Sequence, residues 1–85
     1  MPAVKITMVF GRKKKEQITG TFKEASEIES CPIGKKVMLL FGERENYTGV
    51  FKGIDGDSTI MLQSMLSLNT IGLPLDRLSS FFQES

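Results

Sequence analysis

Two carboxylates and two hydroxyls fall within five residues at Asp55-Gly56-Asp57-Ser58-Thr59. An Asp-x-Asp-x-Thr run after an apolar strand is the spacing of an aspartyl nucleophile with a second aspartate as acid and base. That chemistry needs an alternating βα domain to carry its magnesium and lysine partners. A chain of 85 residues without that alternation does not supply one. Turn capping is the reading both aspartates receive. Glu43 and Glu45 flank Arg44 in a polar stretch and read as a solvated turn. Histidine is absent, which removes imidazole acid–base chemistry and most zinc sites. Cys31 is the only cysteine, so no disulfide forms within one chain and no cysteine cluster holds a metal. It sits beside Pro32 with no adjacent base and reads as structural. The expectation is therefore no enzyme, no cofactor and no metal.

Binding chemistry is better represented. Arg12-Lys13-Lys14-Lys15 places four cations in a row, suited to phosphate contacts that weaken with salt. A solvated loop competes with that reading, because Glu16 follows and only Phe10 offers a nearby ring. The net charge of +1 conceals a split: residues 1–42 hold eight Lys and Arg against four Glu, and residues 43–85 hold three against six acids. Met8, Met38, Met61 and Met65 recur at strand spacing and read as core or interface filler.

These residues need a scaffold, and the length allows one domain. A chain this short buries only about 60–65% of its unfolded surface, so a staple or a partner is expected. A lone cysteine suits a reducing cytoplasm. No secretory signal is read at the start, because the basic cluster follows the first apolar stretch instead of preceding it. Ser58 to Leu75 is uncharged, but Gln63, Asn69, Pro74 and several hydroxyls argue against a membrane span.

Lys5 to Phe10 alternates and is β-branched, so it predicts a short strand or an extended arm. Ile18 to Thr21 could pair back on it as a hairpin. Thr21-Phe22-Lys23-Glu24 has capping-box spacing and predicts a short helix that Pro32 ends. Lys36 to Phe41 is a continuous apolar run, predicted as a strand buried on both faces. Further strands are predicted at Tyr47 to Ile54, Ser58 to Leu66, Leu68 to Leu75 and Arg77 to Gln83. Gly49 and Gly53 mark a bulge or sharp bend in the strand at Tyr47 to Ile54, and Asp55-Gly56 marks a hairpin turn. The uncharged third and fourth strands are either central and paired within the chain, or include an edge that another subunit pairs.

The sequence Gly34-Lys35-Lys36-Val37-Met38-Leu39, followed by Tyr47-Thr48-Gly49-Val50-Phe51, Ile54-Asp55 and Ile60-Met61-Leu62, resembles the first motif of the Sm-like family, which includes the LSm and Hfq-type proteins. Leu73-Pro74-Leu75-Asp76-Arg77-Leu78-Ser79-Ser80-Phe81 fits the outline of its second motif. The resemblance covers residues 21–82 and makes 21–85 an Sm-like domain preceded by an arm or extra hairpin at 1–20. It implies a mostly β fold: a short N-terminal helix on a strongly bent five-stranded antiparallel SH3-like open barrel. It also implies a homo-oligomeric ring of roughly five to seven subunits, closed by heterologous strand pairing. Leu68, Ile71, Leu73, Leu78 and Phe81 are the interface residues that this implies.

The family's usual ligand is single-stranded, often uridine-rich RNA, held at the pore by stacking and base-edge hydrogen bonds. Its pore positions fall on Asp55, Ser58 and Thr59. Ser58 and Thr59 stand where the family has a stacking side chain and an asparagine, and Pro74-Leu75 replaces its Arg-Gly or Lys-His pair. Two readings follow. In one, the ring binds RNA through Arg12, Lys13, Lys14 and Lys15 with weak base reading near Asp55. In the other, the same ring is a scaffold without RNA.

Overall fold

The computed structural model describes residues 3–10, 14–56, 58–65 and 67–85. Within them the chain is mostly β, with one antiparallel seven-stranded sheet and little helix. The strands are β1 (Val4–Val9), β2 (Lys15–Glu24), β3 (Lys36–Phe41), β4 (Glu45–Asp55), β5 (Thr59–Gln63), β6 (Thr70–Pro74) and β7 (Ser80–Glu84). Their order across the sheet is β1-β2-β7-β3-β4-β5-β6. β3 has the predicted bounds. β5, β6 and β7 are shorter than expected, and a three-residue 3-10 helix, Leu75–Arg77, occupies the corner where the last strand was expected to begin.

Two expectations are corrected. There is no helix beginning at Thr21: Thr21 to Glu24 finish β2, and among the described residues the only helical segment before β3 is a six-residue 3-10 helix, Ala25–Ser30. The capping box exists but lies three residues later, with the Glu27 carboxylate accepting the Glu24 backbone N–H at 2.9 Å. The physical reason is a strand partner: Gly20 to Glu24 pair residue by residue with Glu84 to Ser80, and a full ladder outweighs one turn of helix. The strand count is seven rather than five, because β1 and β2 form a hairpin that joins the sheet alongside β7. β2 runs without a break through residue 20, where the arm was divided from the domain.

β4 shapes the rest. It is eleven residues long, and its register with β5 shifts between Phe51 and Ile54. Gly53 lies in that shift at φ +105°, a conformation an L side chain resists, so the bulge forms there. Gly49 serves a different end: a Cβ on it would overlap the Gln63 carbonyl oxygen of β5. The two strand glycines thus separate into one bend and one close approach.

The strand order and this bend bury alternate residues along β3, β4 and β5 and cover both faces of β7. Ile28, Val37, Leu39, Phe41, Phe51, Ile60, Leu62, Leu73, Leu78 and Phe81 form the main cluster, with Cys31 beside them. On the opposite face Met8, Phe10, Ile18 and Phe82 form a second cluster, against which Ile6, Met38 and Met65 pack. Phe81 and Phe82 are adjacent and both fully buried, which a strand achieves only when both its faces are covered. The hairpin is that second cover. It is held further by the Lys36 ammonium on β3, which donates to Glu16 on β2 at 2.8 Å, and by the Thr48 hydroxyl on β4, which donates to the Val9 carbonyl at 3.2 Å.

Candidate nucleic-acid interface

The turn after β4 is built by register. Asp55 opposes Thr59, and Gly56 follows at φ +64°, as a tight turn requires. Asp55 and Ser58 are exposed, and Thr59 is half-buried opposite Pro74. The Ser58 carbonyl accepts the Leu75 N–H at 2.8 Å, which ties the turn to the corner after β6. Asp57 lies outside the described residues. Among its described residues the turn offers the Asp55 carboxylate and the Ser58 hydroxyl to solvent, with the Thr59 hydroxyl half-buried beside them, and no ring.

Behind it lies an open cleft of about 300 Å³, lined by Cys31, Ile33, Phe51, Gly53, Ile54 and Gly56 with Glu29 at its edge. Ile33 is 67% exposed at its mouth, while Phe51 is buried beneath. Burial pushes the Cys31 thiol above its ordinary value, against the smaller opposing pull of Lys23 and Lys35. A thiol held protonated is a poor nucleophile, and its Sγ–H points to the Pro32 carbonyl at 3.7 Å. Cys31 is thus a wall of the cleft and a member of the core.

A second cleft of about 400 Å³ runs between the two 3-10 helices, with Ala25, Ile28, Leu75 and Leu78 as its floor. Glu29 and Asp76 stand on its rim, a charge that repels phosphate. Among the described residues no group of His, Cys, Asp and Glu is placed to hold a metal.

The basic residues lie elsewhere. Lys14 and Lys15 are exposed at the closed end of the β1–β2 hairpin, and Arg12 and Lys13 lie outside the described residues. Lys15 is opposite Val9, whose carbonyl takes the Thr48 hydroxyl. From Thr48 to Asp55 is seven residues along β4, roughly 20 Å of strand. The cations and the Asp55 turn are therefore at opposite ends of β4, and the structure does not bring them together. Tyr47 stands beside Thr48 at the cationic end. Its ring packs edge-on against Phe41, with centroids 5.7 Å apart. Its hydroxyl donates a short hydrogen bond to Glu45, which holds the phenol above its ordinary value.

The five interface residues divide by exposure. Phe81, Leu78 and Leu73 are buried within the subunit's own core, whereas Leu68 and Ile71 are exposed, Leu68 at φ +63°. Phe22 was missed as a surface residue. Placed in the predicted short helix, it is a strand residue 42% exposed, leaning edge-on against Phe82 with ring centroids 5.0 Å apart. Its alternation with Thr21 and Lys23 was the available signal. Comparisons with family models, with curated proteins and with solved structures give no match for this chain.

Proposed function

We propose that the chain is a divergent Sm-like module that assembles head to tail into a closed homo-oligomer and acts as an interaction scaffold. The observation that carries this reading is β6. It is the last strand of the sheet, it has no charged residue, and Ile71 on it is 43% exposed. A solitary protein usually guards such an edge with charges, and here only Pro74 at the strand's end does so. The five-strand order β7-β3-β4-β5-β6, the bend at Gly53 and the 3-10 corner before β7 support the SH3-like barrel half of the reading. The edge is heterologous, so pairing closes into a ring or grows without limit. Light scattering at micromolar concentration is the test. A single oligomeric species is expected, and a monodisperse monomer overturns the reading.

A second reading, single-stranded RNA binding by that oligomer, is favoured by the exposed Lys14 and Lys15 at the hairpin turn. The turn at Asp55 supplies no stacking ring, so attraction to phosphates dominates. Fluorescence anisotropy with uridine-rich and adenine-rich RNAs at two salt concentrations separates the readings. Salt-dependent binding that Lys14→Gln with Lys15→Gln weakens equally for both RNAs supports it, and no binding at low salt removes it.

A further inference from the structure

The seam of such an oligomer is open to a more specific argument, which rests on the self-assembly reading. A strand pairs on two sides only, and β7 has both filled, by β2 on one side and β3 on the other. Every internal strand is in the same position. Two free edges remain in the described sheet, β1 at one end and β6 at the other. We infer that β6 of one copy pairs antiparallel with β1 of the next, so that the N-terminal hairpin is one half of the subunit contact.

Which main-chain groups are free follows from the ladder, because opposed residues in an antiparallel pair alternate between bonding inward and facing out. On the β5–β6 side, Leu75 N–H donates to the Ser58 carbonyl and Ser64 N–H to the Asn69 carbonyl, each at 2.8 Å. With the printed register this turns Ile71 and Leu73 toward β5. It leaves the groups of Thr70 and Gly72, and the carbonyl of Pro74, on the open edge. On the hairpin, Phe10 N–H donates to the Lys14 carbonyl at 2.8 Å. The same alternation turns Ile6 and Met8 toward β2 and leaves Lys5, Thr7 and Val9 outward. The Val9 carbonyl already accepts the Thr48 hydroxyl, so the open stretch centres on Lys5 and Thr7.

Outward groups must meet outward groups. Lys5 then opposes Gly72, Thr7 opposes Thr70, and Pro74 falls at the end of the pairing opposite Ala3, where one missing donor costs least. The side chains follow from the period of two: Ile6 comes to lie across from Ile71, and Val4 across from Leu73. Ile71 and Val4 are two of the exposed apolar side chains, at 43% and 40%, and this pairing covers both. A parity shift of one residue in either strand would have put Lys5 or Thr7 against Ile71 instead. The occupant this edge fits is therefore a second copy of the chain, joined head to tail. A β6–β6 contact would leave β1 open, and it would set the more acidic half of the chain against itself.

The test is a crosslink. Ile6→Cys with Ile71→Cys, in a Cys31→Ala background, places two thiols across a non-hydrogen-bonded pair, the closer of the two antiparallel spacings. Mild oxidation should give a covalent ladder ending at the oligomer's own size, and neither single variant should give more than traces. A dimer from Ile71→Cys alone would show a β6–β6 contact and overturn the seam. Thr7→Pro is the second variant. Its N–H faces outward, so the hairpin's own ladder stays whole while the contact loses a donor, and circular dichroism reports its folding. It should be a folded species of lower mass by light scattering. An oligomer that persists in Thr7→Pro and gives no ladder in the double variant overturns this seam while leaving self-assembly standing. A monomeric parent overturns both.

Discussion

The two apolar clusters of this molecule are built from different materials by different means. The main cluster joins residues from all of the last five strands and both helical corners, and its members are mostly Leu, Ile, Val and Phe. The hairpin cluster has four buried members, of which Met8 is one, and partly buried Met38 and Met65 pack against it. Branched and aromatic side chains fill a core in few rotamers, whereas methionine adapts to irregular gaps. The first cluster is therefore the more tightly specified, and the second is a softer layer on the opposite face of the sheet. A strand such as β7, wedged between the two, belongs to both.

That difference predicts unequal responses to the same truncation at two adjacent residues. Phe81→Ala should cost about 3–5 kcal/mol and lower the urea midpoint of the whole domain. Phe82→Ala should cost less globally, because the hairpin can open while β3 to β6 stay paired. Hydrogen exchange is the discriminating measurement. Phe82→Ala should lose protection in β1 and β2 and keep it in β3 to β5. Equal loss in both variants, everywhere, would mean one cooperative core and no hierarchy.

The same contrast explains what was legible in the sequence. Lys36 to Phe41 announced β3 because it is apolar at every position but the first, although only Val37, Leu39 and Phe41 are buried and Met38 and Leu40 are half-buried. What covers its second side was not legible. β2 is mostly polar with single buried residues at Ile18 and Gly20, a weak alternation. Its last four residues also carry the spacing of a helix cap. Local propensity could not see that Phe22 would lie opposite Phe82, sixty residues away. The Asp55-Gly56 turn was read correctly from local chemistry, since a turn is decided by its own residues. The separation of the cations from that turn was not, because it depends on where the hairpin folds back along β4.

The hydroxyl of Thr48 sharpens the comparison at smaller scale, since it makes a direct hydrogen bond between β4 and the edge of β1. Thr48→Val keeps the shape and removes the donor. A loss of about 0.5–1.5 kcal/mol is expected, the ordinary net worth of such a bond. It should appear as faster exchange in β1 with no change in β5. An unchanged β1 would mean that the cluster alone holds the hairpin.

The weakest tie between the two regions is ionic, and it has a pH signature. Lys36 keeps its proton to higher pH than usual, chiefly because its ammonium donates to Glu16, with burial opposing and the charges of Glu16 and Glu84 adding. A raised value in the folded state means that the protonated form is favoured by folding. The contribution is therefore complete below the unfolded value of 10.5 and is lost as pH rises through the higher folded value. The pair is partly exposed, at 24% for Lys36 and 40% for Glu16, so its worth is under about 1 kcal/mol and falls with salt. Glu16→Gln should leave the urea midpoint almost unchanged at neutral pH and weaken the hairpin slightly. It should also move the alkaline step in the β2 amide shifts to lower pH. If that step stays where it is in the parent, Glu84 rather than Glu16 sets the Lys36 proton, and the ionic tie runs from β3 to β7 instead of reaching the hairpin.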